Sequence, residues 1–162
     1  MLSNKAYPQE YSKFKEQVLR GEIPVNRWIS LQMNRIDFLI ESPDYFYDDQ
    51  AIEGFVRFCE DEMTLTDGSD VTLLPSFRVW AEDALAWYYE SNDRVFNPKT
   101  GRWEMRKRMK RLTRKQFLIV GRGAAKSLYS TFLQTYMLLI DPSTTHQIVT
   151  APTMNHAEEI LA

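Results

Sequence analysis

The sequence predicts an α/β fold, in which a helical N-terminal region precedes the first strands of a parallel sheet. Three observations predict it. Through residues 1–92 apolar side chains recur at helical spacing, as in Ile52, Phe55, Val56, Cys59 and Met63. From Gln116 the character changes to a short apolar run, Gln116-Phe117-Leu118-Ile119-Val120, then a small-residue loop, then a helical stripe. A second such run, Gln147-Ile148-Val149-Thr150-Ala151, follows that helix. Strand, loop, helix, strand is the opening of a parallel sheet with right-handed crossovers.

Each element has a local reason. Ile23-Pro24 separates a first helix from a second through Trp28, Leu31, Ile36 and Leu39. Ser42-Pro43-Asp44 ends the second, because a residue before proline avoids the helical region. Asp48 or Asp49 caps the third. Thr66-Asp67-Gly68-Ser69 is a turn, and Val71-Thr72-Leu73-Leu74 a short strand or an extended lead-in. Phe77, Trp80, Ala84 and Trp87 form a fourth helical stripe. Residues 93–115 form a basic connector with a turn at Asn97-Pro98-Lys99-Thr100-Gly101, read as a basic surface helix or as a loop leading into a strand. Residues 126–140 carry Leu128, Phe132, Tyr136 and Leu139 on one side of a helix that Asp141-Pro142 stops. Asn155 caps a last helix at 156–161.

Composition narrows the classes. The 162 residues are 44% hydrophobic and 13% aromatic, enough for one ordinary domain and its core. One cysteine, Cys59, excludes a disulfide framework and a multi-cysteine zinc site. No apolar run approaches the roughly 20 residues that span a bilayer, and the N-terminus lacks the apolar core of a signal peptide. A cytosolic protein without membrane contact is the expectation.

The net charge of −2 hides a division. Between Arg102 and Lys115 stand eight basic residues and one acid, leaving twelve basic and twenty-one acidic residues elsewhere. The basic segment suits phosphate contacts with DNA; a solvated face or a counter-charge for the acidic helices accounts for it as well.

The segment that carries chemistry is Val120-Gly121-Arg122-Gly123-Ala124-Ala125-Lys126-Ser127, between a strand and a helix. A phosphate-binding loop needs small residues that let backbone N–H groups wrap an anion at a helix N-terminus. It also needs a lysine for the terminal phosphates and a hydroxyl for Mg²⁺. Gly121, Arg122, Gly123, Ala124 and Ala125 form such a loop, with Lys126 as the ammonium and Ser127 as the hydroxyl. Against the pattern G-x-x-x-x-G-K-[ST], Val120 and Ala125 stand where glycines are usual, and Ala125 fits only if its φ is negative. A plain strand-to-helix turn is the competing reading. It leaves Lys126 placed against the helix dipole and Arg122 as an unexplained second cation.

These residues resemble the phosphate loop of the large terminase subunits of tailed bacteriophages. In that family an arginine commonly sits four residues before the lysine, as Arg122 does here. Tyr45-Phe46-Tyr47-Asp48 is similar to the family's N-terminal segment. Leu73-Leu74-Pro75 with the helix through Trp80 and Trp87 resembles its L-x-P-W-Q region. Ile148-Val149-Thr150-Ala151-Pro152-Thr153 and His156-Ala157 resemble its second strand and following helix. The likeness spans about residues 45–162, and its specific parts are the loop and the Thr-Ala-Pro-Thr segment.

The resemblance implies a P-loop ATPase with the additional-strand parallel sheet, here incomplete. Such an enzyme pumps double-stranded DNA into a procapsid and carries a C-terminal nuclease domain. It implies ATP and Mg²⁺ as cofactors, with Lys126 on the β/γ-phosphates, Ser127 on the metal and Arg122 on the phosphates or a neighbouring motor element. Partners implied are DNA, the small terminase subunit, the portal protein and further copies in a ring, in the host cytoplasm. The chain departs from the family at Ala125 and at Ser76-Phe77, where Trp-Gln is usual. Phe77 is the residue left there to stack on a base. Other readings of the loop are a helicase-like P-loop motor and a non-catalytic nucleotide- or DNA-binding module.

Bland roles suit the remaining residues. His146 and His156 read as surface residues, Cys59, Trp28, Trp80 and Trp87 as core, and Glu60-Asp61-Glu62 as a solvated face. The acidic strand and catalytic glutamate of the family's ATPases would lie past Ala162, so the chain reads as an N-terminal piece (residues 1–92, 93–115 and 116–162 as its parts). Negligible ATP turnover is expected of it alone. A steady-state rate above roughly 0.1 s⁻¹ in a phosphate-release assay would defeat that expectation.

Overall fold

The computed structural model describes residues 7–65, 67–116 and 125–140. Helices and strands are both present. In chain order they are α1 (Gln9–Leu19), α2 (Arg27–Glu41), β1 (Tyr45–Tyr47), α3 (Asp49–Glu62), α4 (Pro75–Leu85), β2 (Trp87–Asn97), β3 (Arg102–Arg111) and α5 (Lys126–Leu139). The sheet is antiparallel, in the order β1-β2-β3. The two runs expected as parallel strands, 116–120 and 147–151, lie outside the described residues except for Gln116, which is not in a strand. The last helix, at 156–161, also lies outside them.

The Asp48 cap is as expected, and the structure adds the signals that start α2 and α4. Asn26 caps α2 by accepting from the N–H groups of Trp28 and Ile29, and Asp48 caps α3 by accepting from Gln50. Pro75 occupies the first turn of α4, where its missing N–H costs nothing. Residues 71–74 are an extended lead-in rather than a strand.

The basic connector is neither a helix nor a loop into a strand. It is most of a long hairpin, β2–β3, whose register runs from Tyr88↔Arg111 to Asn97↔Arg102. Tyr, Val, Phe, Trp and alternating cations suit a pleated ribbon. Gly101, at φ 64°, closes the turn in a conformation glycine adopts freely. The hairpin crosses the expected boundary at residue 92. It also removes Trp87 from the fourth helical stripe, since α4 ends at Leu85 and Trp87 opens β2. Tyr45–Tyr47 is a strand, which pairs with Trp87–Tyr89.

The core gathers Ile52, Phe55 and Cys59 of α3, Phe77, Ala81 and Leu85 of α4, and Tyr129, Phe132 and Tyr136 of α5. Burial lifts the Cys59 thiol to about 12, so it stays protonated. Trp28, expected in the core, is 74% exposed, and Leu31 is exposed beside it, so α2 turns only Ile36 and Leu39 fully inward. Glu60 is not merely solvated: it accepts from Leu73 N (2.9 Å) and Arg78 Nη2 (2.6 Å), fixing the lead-in to α4. Among the described residues no helix is long and apolar enough to cross a membrane.

One buried carboxylate ties three elements. Glu82 of α4 is 2% exposed. It accepts from Tyr11 N (2.7 Å), Glu10 N (3.3 Å) and Tyr47 Oη (2.6 Å). The first two are orphan donors of the first turn of α1, which Pro8 cannot cap with a side chain. Burial raises the Glu82 carboxyl above the ordinary glutamate range, against the pull of its three donors. A carboxyl raised in the folded state stabilises fully below its unfolded pKa, and that contribution is lost as pH rises through the folded value. Glu82→Ala is expected to cost about 3 kcal/mol in denaturant unfolding, because three buried donors lose their acceptor. Glu82→Gln is expected to cost less, and that cost should shrink as pH rises from about 4, the ordinary glutamate range. A cost that grew with pH would contradict the assignment.

Candidate functional site

The residues that begin α5 lie at the end of the glycine- and alanine-rich loop. Ala125 is the N-cap, with φ 48° and ψ 30°, in the left-handed region. The condition on which the sequence let alanine stand there, a negative φ, is therefore not met. The position takes the conformation for which glycine is the usual occupant, and alanine carries a strain of roughly 1 kcal/mol there. Among the described residues no side chain caps α5. Ala125 O accepts from Tyr129 N at 3.1 Å, which starts the helix directly behind the strained residue. Lys126 is the first helical residue, and Ser127 follows it with its side chain exposed. Gly121, Arg122, Gly123 and Ala124 lie outside the described residues.

The described residues on either side of 117–124 both contact α4. On the near side Gln116 donates from Nε2 to Trp80 O (2.8 Å), and its Oε1 accepts from Tyr129 Oη (3.0 Å). On the far side the Tyr129 ring packs against Phe77 and Trp80, with centroids 5.3 and 5.4 Å apart. Burial holds the Tyr129 phenol protonated well above its ordinary range, so it remains a donor to Gln116. Sequence reasoning missed this clasp. Its one visible signal was a glutamine opening an otherwise apolar run.

Phe77 is not where a base-stacking ring is needed. It is 2% exposed, and its ring contacts Trp80 and Tyr129 within the core. An open cleft of about 540 Å³ lies nearby, between α2, α4 and residues 112–116. Trp28, Gln32, Arg35, Trp80, Asp83 and Arg114 line it. Asp83 holds its polar wall in place by accepting from Arg35 Nη1 and from Gln32 Nε2, the latter at 2.9 Å. Its volume falls in the range of small-molecule sites. Gln116, the last described residue before 117–124, also lines it.

Among the described residues no group of three or more His, Cys, Asp or Glu could hold a metal ion by itself. A hydroxyl such as that of Ser127 fits a metal only when phosphate oxygens complete its shell. No family model matches the chain, and no curated protein and no solved structure matches it.

Ala125→Gly is expected to raise stability by about 0.5–1 kcal/mol by relieving the positive φ. Gln116→Ala is expected to lower it by about 2 kcal/mol, since a carbonyl and a phenol then lose their partner. Denaturant titration of both variants checks this. A destabilised Ala125→Gly would show that the left-handed geometry is absent in solution.

Proposed function

We propose that this chain forms the ATP-binding part of a DNA-packaging motor of the large terminase type. One observation carries the reading. A residue in the glycine conformation stands immediately before Lys126-Ser127, at a helix N-terminus that no side chain caps among the described residues. That is the backbone a phosphate-binding loop requires, with N–H groups and helix dipole left for an anion. In this reading Lys126 neutralises the terminal phosphates, Ser127 contributes its hydroxyl to Mg²⁺, and Arg122 adds a second cation. The cleft beside Gln116 takes the base in place of Phe77, with the exposed Trp28 indole as the ring it meets. Translocation of double-stranded DNA, contact with a small subunit and a portal, assembly into a ring, action in the host cytoplasm and nuclease activity in a further domain follow from the sequence resemblance and stand with it.

Titration of the chain with a fluorescent ATP analogue in Mg²⁺ tests the reading. Lys126→Ala is expected to weaken binding by about tenfold or more, the effect of losing one charge-assisted phosphate contact. Ser127→Ala is expected to raise the Mg²⁺ concentration needed for binding. Equal affinity of Lys126→Ala and the parent chain would remove the nucleotide reading.

A further inference from the structure

The β2–β3 hairpin leaves the body of the protein. The third strand, β1, reaches only Trp87–Tyr89, so Glu90–Asn97 and Arg102–Met109 form a two-stranded ribbon. Eight residues at roughly 3.4 Å each make it about 27 Å long. Between Glu90 and Arg111 the hairpin carries eight cations and three acids, a net +5, against −7 for the rest of the chain.

The pairing register sorts the side chains, because successive pairs point to opposite faces. One face holds Phe96↔Trp103, Arg94↔Met105, Asn92↔Lys107 and Glu90↔Met109. The other holds Asn97↔Arg102, Val95↔Glu104, Asp93↔Arg106 and Ser91↔Arg108, with Lys110 opposite Tyr89. Arg102, Arg106 and Arg108 are exposed. Lys110 pairs with Asp93 (2.6 Å) and Arg106 with Glu104 (3.3 Å). Arg102 and Arg108 meet no carboxylate at ion-pair distance among the described residues.

We infer that this second face is a docking surface for the backbone of double-stranded DNA. Along β3 this face carries Arg102, Arg106, Arg108 and Lys110, interrupted once by Glu104, so its cations are spread along the ribbon and match a line of phosphates rather than a single anion. A two-stranded ribbon fits the B-form major groove, about 12 Å wide, whereas the deep, narrow groove of duplex RNA excludes it. A second copy paired along the β3 edge is disfavoured. β3 holds six cations and one acid, so two such edges would set like charges opposite one another. The surface is separate from the α5 N-terminus, and the inference does not rest on nucleotide binding.

Fluorescence anisotropy with a labelled duplex of about 30 bp, without nucleotide and between about 50 and 200 mM salt, tests it. The variant R102E/R108E is expected to bind about tenfold or more weakly. The slope of log affinity against log salt should fall by about 2, one unit per lost phosphate contact. W103S/M105S, on the opposite face, should bind as the parent does. Nucleotide affinity of R102E/R108E should be unchanged, which separates this result from a failure of the ATP reading. If the charge reversal perturbs the far-ultraviolet dichroism spectrum, R102Q/R108Q reads the same loss of slope. An unchanged slope in the folded variant would overturn the inference. So would self-association of the parent in sedimentation velocity that R102E/R108E abolishes while DNA affinity stays the same.

Discussion

The described structure depends on the buried carboxylate of Glu82. It serves as the missing cap of α1, the acceptor for the Tyr47 hydroxyl of β1 and a residue of α4 at once. Two backbone donors and a phenol need the paired oxygens of a carboxyl group at that one position. An isolated charge cannot stay buried without them. Helix, strand and helix are therefore held to one another by a mutual requirement, and the apolar core packs around that arrangement. Nearby, Tyr11 repeats the pattern on a smaller scale. Its hydroxyl donates to Asp37 Oδ1 (2.8 Å) and lies 3.0 Å from Met33 O, joining α1 to α2.

Helix α4 is consequently the organiser of the chain. One end meets Glu60 through Arg78. Its middle carries Glu82 and the Phe77–Trp80–Tyr129 aromatic cluster. Its last residue leads within two positions into β2. Asp48 N donates to Ala86 O (2.9 Å) and Leu112 N to Trp87 O (2.7 Å), so both ends of the antiparallel sheet close at this junction. The clasp around Gln116 uses the same helix. Helix α5 and the ribbon thus share one base.

Helices were legible in the sequence because their signals are local: the Pro24 and Pro43 breaks, Asp48 as a cap, and the α3 stripe. The Lys126–Leu139 helix was legible for the same reason. The ribbon was not. Its strands are partners of each other only through cross-strand pairs such as Phe96↔Trp103, and a run of arginines and lysines carries no period of its own once half the positions are charged. Trp28 was misplaced because an amphipathic stripe gives the width of a face, not which members reach the core. The roles of Glu82 and Gln116 arise from contacts 71 and 36 residues apart along the chain, which no local pattern encodes. At Ala125 the motif was visible in the sequence, but its backbone conformation was not.

The distance between Tyr11 and Glu82 also has a temporal side. An 11-residue helix with no cap of its own is marginal in water. During synthesis its acceptor appears 71 residues later, a wait of about 4–14 s at 5–20 residues per second. Over that interval α1 has no reason to persist, whereas α2 and α3 carry their own caps. Helix α1 is thus made before its acceptor and secured late, as a latch that closes on a body already assembled behind it.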